Sequence, residues 1–302
     1  MEFGAGFKPN VSIPELVQLA TLAEQSGFRF VGIFDDLLLH SRKRVEVYTT
    51  LTAIALNTKT VKIGPWCTNA YTRHPITTAY TIATLDELSG KRAFVALVGG
   101  GHHARCVASG KPGFKQCEEA ISTIREVFSG KTFERKNWKY QLYKPMTHIP
   151  VYWGGENDIS AKFGGRVSDG VIIGGPRGWV DEKMLKTTID IIETGAESSG
   201  RTLEQVPVIL NTPVSIAPDR DAAVENVMSY LRKMMDYIGV GAENAPPKEA
   251  IAKKTMAGTV EDCIRAIKTV ERLGITKIMM IVTGNRKETL QLFKEGVLPE
   301  FS

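Results

Sequence analysis

Short apolar runs alternate along the chain with longer stretches in which apolar residues recur every three or four positions. The first kind reads as buried strand and the second as amphipathic helix. Runs of the first kind fall at 2–7, 30–34, 61–63, 93–98, 151–153, 170–173, 206–216 and 278–282, which gives eight predicted strands. Helical period fills 47–57, 76–88, 115–128, 159–167, 183–199 and 222–237. Two further helices carry their own end signals. Ser12 with Glu15 forms a capping box, Pro14 lies in the first turn, Leu16, Leu19, Ala20 and Ala23 share one face, and Gly27 ends the run. Thr259 with Asp262 repeats the box ahead of the stripe Cys263, Ile264, Ile267, Val270 and Leu273, which stops at Gly274 and leads into the last strand.

Strands separated by helices predict βαβ units and a parallel sheet. Eight such units in 302 residues predict an α/β fold, a (β/α)8 TIM barrel with short insertions. An open doubly wound sheet is the alternative, because a strand count does not establish closure. No Ser/Pro-rich linker or charge block divides the chain, so one domain over 1–302 is expected. Two segments depart from the alternation. The aromatic-rich stretch 132–150, with Phe133, Trp138, Tyr140 and Tyr143, predicts a small hairpin before the fifth strand. The stretch 239–256, with Gly239, Pro246-Pro247 and several lysines, predicts a mobile loop near the barrel mouth.

Composition narrows the partners. With 43% hydrophobic and 24% charged residues the chain has ordinary globular proportions. The net charge of +5 is spread along the whole length, without a basic stripe or aromatic-basic interleaving, so no nucleic-acid partner is expected. A modest positive field still favours an anionic ligand. Cys67, Cys106, Cys117 and Cys263 have no CxxC spacing and read as free thiols of a reducing compartment. No export signal is read before the first strand, and nowhere do about eighteen apolar residues run together. A cytoplasmic protein without a membrane span is the expectation.

In a parallel barrel, chemistry sits at the carboxyl ends of the strands. Those ends hold Asp35-Asp36, Trp66-Cys67-Thr68-Asn69, Gly99-Gly100-Gly101-His102-His103, Gly154-Gly155-Glu156-Asn157 and Gly174-Gly175-Pro176-Arg177. The paired glycines permit close approach of a ligand, and helix starts near Ser160 and Val180 would offer N–H groups to a phosphate; plain turn glycines are the competing reading. Asp35 and Asp36 are neighbours, so in extended chain one faces the mouth while the other caps or pairs. Trp66 suits core packing as readily as a pocket wall. His102, His103 and Cys106 lack the spacing of a metal site. The absence of GxSxG, GxxxxGK[ST] and a Rossmann glycine motif in strand-turn-helix context leaves hydrolase and nucleotide-hydrolysing readings without support.

The most telling block is the third strand, Val61-Lys62-Ile63-Gly64-Pro65, running through a polar segment into a helix that opens near Pro75. Together with Phe3-Gly4, Phe7, Pro9-Asn10, Leu22-Ala23-Glu24, Gly27-Phe28, Asp35, Thr68-Asn69, Tyr71, Arg73 and residues 83–89, it resembles the luciferase-like flavin and deazaflavin superfamily. The likeness is greatest to its coenzyme F420-dependent methylenetetrahydromethanopterin reductase branch. Ile149-Pro150-Val151-Tyr152 with Gly154, Ser168-Asp169-Gly170 and Gly258-Thr259 extend the match over nearly the whole chain.

The resemblance implies a bacterial-luciferase-like barrel, a homodimer, and a cofactor lying across the carboxyl ends of the strands. That cofactor is coenzyme F420, with flavin mononucleotide (FMN) as the alternative. It further implies a non-prolyl cis peptide at Trp66–Cys67, cofactor contacts from Asp35, Trp66, Cys67, Thr68 and Asn69, and the phosphate tail beside Gly154, Gly155, Gly174 and Gly175. Hydride transfer to or from a small-molecule substrate also needs a proton carrier, for which Asp36 and His102 or His103 are the candidates. An FMN-dependent monooxygenase or reductase and a non-catalytic cofactor-binding relative are the competing functions. Four departures mark the substrate side: Asp35-Asp36 where the family has Asp-His, Gly6 where the reductases carry a carboxylate, Trp66 where they carry Gly, and His102-His103 in place of Asp-Lys. The cofactor cradle is expected to persist with a substrate other than methylenetetrahydromethanopterin.

Overall fold

A computed structural model describes residues 1–35, 45–100, 113–135, 137–142 and 148–301. Its strands are β1 (Glu2–Phe7), β2 (Phe30–Ile33), β3 (Lys62–Pro65), β4 (Thr68–Asn69), β5 (Val95–Val98), β6 (Phe133–Arg135), β7 (Trp138–Tyr140), β8 (Val151–Gly154), β9 (Val171–Ile173), β10 (Val208–Ile216), β11 (Met256–Gly258) and β12 (Lys277–Val282). The main sheet runs β3-β2-β1-β12-β10-β9-β8-β5-β4, and its neighbours are parallel.

Closure comes from one broken strand. β3 and β4 are two halves of a single run, parted at Trp66–Cys67, whose peptide bond is cis. The β3 half pairs with β2, the β4 half pairs with β5, and Ile63 also bridges Ala93. The sheet therefore meets itself as a (β/α)8 barrel, and the open doubly wound alternative is excluded. The expected hairpin is present, with Phe133 opposite Tyr140. The stretch predicted as a loop at 239–256 is instead built from a 3-10 turn at Ala242–Asn244 and a helix at Lys248–Lys254. Ile251 explains the difference: it is fully buried in a satellite core with Val224, Val227, Met228 and Leu231, which anchors an otherwise lysine-rich turn of helix.

The barrel interior is packed rather than hollow. Phe30, Trp66, Phe94, Tyr152, Ile172, Ile209 and Met279 fill it. Glycines make room for these rings: a Cβ on Gly64 would lie 2.3 Å from the Phe94 carbonyl oxygen, and one on Gly32 would lie 2.7 Å from the Trp66 Cβ. At the amino-terminal end of the barrel, buried Arg92 donates to the carbonyls of Ala55, Thr58, Val61 and Ser89, sealing that end with satisfied hydrogen bonds. The opposite end is left to carry chemistry. Among the described residues no helix is long and apolar enough to cross a membrane.

Candidate active site

The carboxyl ends of the strands gather around one mouth. Asp36 and His102, expected to handle protons, lie outside the described residues, as do His103 and Cys106. Asp35, at the end of β2, is buried and tied into the wall. Its Oδ2 accepts from Thr68 Oγ1 at 2.7 Å and from Arg73 Nη1 at 2.6 Å. Arg73 spans to Glu46 Oε1 at 2.6 Å and stacks over the Tyr48 ring at 4.7 Å. Burial raises the Asp35 carboxyl above the ordinary aspartate range, although Arg73 and Thr68 pull it down. Asn69 shapes the next turn by accepting from the N–H groups of Tyr71 and Thr72 at 3.0 and 2.9 Å. Thr68 and Asn69 thus use their side chains on the protein's own loop.

Trp66 is only 2% exposed. Its ring meets Phe94 edge-on, 5.9 Å between centroids, and its Nε1 donates to Asn211 Oδ1 at 3.1 Å. The indole belongs to the core and floors the mouth. Cys67, next in the chain, is half-buried, and its thiol is raised far above the ordinary cysteine range, first by burial and then by the charge of Glu156. Both effects favour the protonated thiol.

The glycine pairs have two different causes. A Cβ on Gly154 would strike Val98 Cγ1 at 2.5 Å, and one on Gly155 would lie 2.9 Å from the Ala161 Cα, so both are demanded by packing. The Gly155 N–H is already given to the Ile172 carbonyl at 2.8 Å. Gly175 has φ +57° with nothing within 4 Å of a Cβ, so its backbone conformation and not crowding requires glycine. A Cβ on Gly174 would come 3.0 Å from Asn211 Nδ2.

The N–H groups of Ser160 and Val180 themselves are spent. Asn157 Oδ1 accepts from the Ser160 N–H at 2.9 Å, because the helix Asp158–Val167 supplies its own cap, and the Lys254 carbonyl takes the Val180 N–H at 2.8 Å. Arg177 beside Gly175 is paired with Asp158 and also donates to Thr188 Oγ1.

The family model for luciferase-like monooxygenases matches residues 1–277. The chain belongs to the luciferase-like family. It is similar to the 5,10-methylenetetrahydromethanopterin reductase of Archaeoglobus fulgidus, with 26% identity over 342 residues and 99% of both chains covered. It is also similar to the F420-dependent glucose-6-phosphate dehydrogenase of Nakamurella multipartita, with 25% identity covering 94% of this chain and 91% of that one. Among solved structures, the F420-dependent tetrahydromethanopterin reductase of Methanopyrus kandleri superposes with a TM-score of 0.82 at 23% identity, covering 100% of this chain and 99% of that one. This likeness bears out the barrel.

Within this luciferase-like barrel, sequence reasoning overlooked three residues of the mouth. Arg73 was matched by position but not as the ion-pair partner of Asp35. Asn211, in the middle of β10, carried no signal beyond being a polar residue in an apolar strand. Glu156 lies in the strand-end stretch Gly154-Gly155-Glu156-Asn157, where nothing in the sequence marks it for a role. It touches solvent, but protein surrounds it closely enough that desolvation raises its carboxyl above the ordinary glutamate range.

Proposed function

We propose that this chain binds coenzyme F420 at the barrel mouth and passes hydride between the reduced cofactor and a small organic substrate. One observation carries the reading. Relatives and a solved neighbour that match from end to end are named F420-dependent while acting on unlike compounds, tetrahydromethanopterin in one case and glucose 6-phosphate in the other. What they share is the cofactor.

The residues present fit such a group. Gly99 and Gly175 line strand ends without side chains; among the described residues a Cβ on Gly175 would meet nothing within 4 Å, and one on Gly99 would meet only the Trp153 ring at 3.8 Å. Cys67 and the Gly174-Gly175 turn would hold the cofactor, with Asp35, Thr68 and Asn69 fixing the loop behind it and the Trp66 indole as floor. When bound, F420 supplies a two-electron hydride donor and acceptor. The net charge of +5 favours an anionic cofactor.

The substrate is read as one other than methylenetetrahydromethanopterin. At Gly6, where the resemblance to the reductases implies a carboxylate, a Cβ would already lie 3.4 Å from the Phe34 ring and 3.6 Å from Met279, so the ring occupies the space a longer side chain would need. A cytoplasmic homodimer completes the proposal, checked by light scattering on the purified protein.

Titration with F420 and, separately, with FMN, followed by cofactor fluorescence, tests the reading. Selective F420 binding is expected. Selective FMN binding would move the chain to the flavin-dependent branch, and binding of neither would overturn a functional cradle.

A further inference from the structure

Inward-facing positions decide what the mouth of a barrel presents to a ligand. On β10 the side chains alternate: Leu210 and Val214 pack outward with the helices, whereas Ile209 lies among the rings that fill the interior. Asn211 therefore points inward, one layer above Ile209 toward the carboxyl end, and the pairing of Leu210 with Ile173 sets it level with Gly174. The floor around it is apolar. Trp66, Ile172 and Met279 are buried there, and Phe34 and Cys67, partly exposed, pack against them. Asn211 joins that floor through the 3.1 Å bond from Trp66 Nε1 to its Oδ1. This bond fixes which end of the amide faces a ligand. An indole N–H only donates, so the oxygen is the end turned to Trp66 and the NH2 is the end turned away. The Nδ2 makes no hydrogen bond among the described residues and is not buried. Because side chains fill the interior beneath it, the solvent that reaches it comes from the mouth. Gly174 keeps it uncovered, since a Cβ there would stand 3.0 Å from Nδ2. An oriented donor thus lies between the Trp66 floor and the Gly174-Gly175 turn.

We propose that Asn211 sets the register of the bound cofactor, its Nδ2 donating to a carbonyl oxygen on the edge of the F420 ring. The inference rests on the F420 reading above. An apolar floor holds a flat ring by burial, which has no direction and lets the ring slide; a single directed hydrogen bond fixes where it stops. Trp66 acts through Asn211 as a positioning residue, because its N–H decides which end of the amide is offered. The resemblance implies glycine where Trp66 stands, so this orientation of the amide belongs to this chain.

The test compares wild type, Asn211→Asp and Gly174→Ala. Asp keeps the shape and the oxygen that accepts from Trp66, and exchanges only the NH2 for a second acceptor. Gly174→Ala leaves the amide in place and sets a methyl against it, on a backbone with φ −141° that alanine adopts freely. F420 affinity is read by fluorescence titration of all three proteins. The side-chain NH2 signals of Asn211 are followed by NMR and identified by their loss in Asn211→Asp, and the Trp66 indole signal of that variant reports that its bond to residue 211 survives. On addition of F420 to wild type the Asn211 signals should move, and both variants should bind F420 about 10-fold or more weakly. A purely structural role would leave Asn211→Asp close to wild type. Failure of the wild type to bind F420 overturns the F420 reading itself, a result distinct from any defect of a variant. A wild type that binds F420 with the Asn211 signals unmoved, or a folded variant that binds F420 as tightly as wild type, overturns the inference. If Asn211→Asp does not fold, the affinity of Gly174→Ala decides.

Discussion

The ends of β2 and β8 each carry a carboxyl that burial raises above its ordinary range, yet they are built in opposite ways. At the end of β2, Asp35 is held by a hydroxyl and a guanidinium, and the guanidinium is itself held by Glu46 and the Tyr48 ring. At the end of β8, Glu156 has no bonded partner among the described residues, and two glycines bring its backbone against β5 and the following helix. The difference teaches that a charged residue at a strand end is defined by its partners. An acid that is fully engaged positions the loop, and an acid that is left unengaged can exchange a proton. If this contrast is right, removing a partner of the first carboxyl should cost stability, and removing the second carboxyl itself should cost little.

The strongest way to break the contrast is Arg73→Leu. The Asp35 side chain is 1% exposed, so removing its cation strands a buried carboxylate. Loss of about 3–5 kcal/mol is expected in urea unfolding, and Asp35→Asn in the same chain should recover part of it. A loss near zero would mean that Asp35 is not held by this pair. Thr68→Val is the next step down. It deletes the 2.7 Å hydrogen bond to Asp35 while nearly keeping the shape, so about 1.5–3 kcal/mol should go, read by the same unfolding midpoint.

Gly154→Ala probes the other end. Its Cβ would meet Val98 Cγ1 at 2.5 Å, and the overpacking should cost about 1–3 kcal/mol with no dependence on the charge of Glu156. Thermal unfolding of Gly154→Ala, Glu156→Gln and the double variant checks this. Additive losses keep packing and charge separate at β8, whereas strong coupling would show that Glu156 is structurally engaged after all.

How much of this was legible in the chain follows from the range of each signal. The eight strands could be read because each is an apolar run bounded by turns, and the N-caps Ser12 and Thr259 put helix starts where they are found, although only Thr259 forms the full box with Asp262. The continuation of the third strand into Thr68–Asn69 could not, since two polar residues carry no strand pattern and pair only because the barrel closes there. The helix Lys248–Lys254 was hidden by its own composition, as a single buried isoleucine is too little for a periodic signal. At the site, the position of Asp35 was legible and its partners were not: Thr68 and Arg73 lie more than thirty residues along the chain and meet it only through the fold. For Glu156 the obstacle was the reverse, because no local sequence feature announces that a carboxylate will lack a partner.

The smallest effect sharpens the comparison most, because it depends on the sign of one titration. Glu156 holds its proton more tightly in the folded chain than in the unfolded one. Between those two values the folded chain keeps a proton that the unfolded chain has released, so the stabilisation is fully present below the unfolded value and is lost as pH rises through the folded value. Gln does not titrate. The stability of Glu156→Gln minus that of wild type should therefore grow as pH is raised from about 4 toward 8. Solvent contact keeps the change small. Urea midpoints of the two proteins across that range measure it directly. A difference that stays flat, or that shrinks with rising pH, would mean that Glu156 gains a partner in the folded state as Asp35 does, and the two strand ends would then be alike.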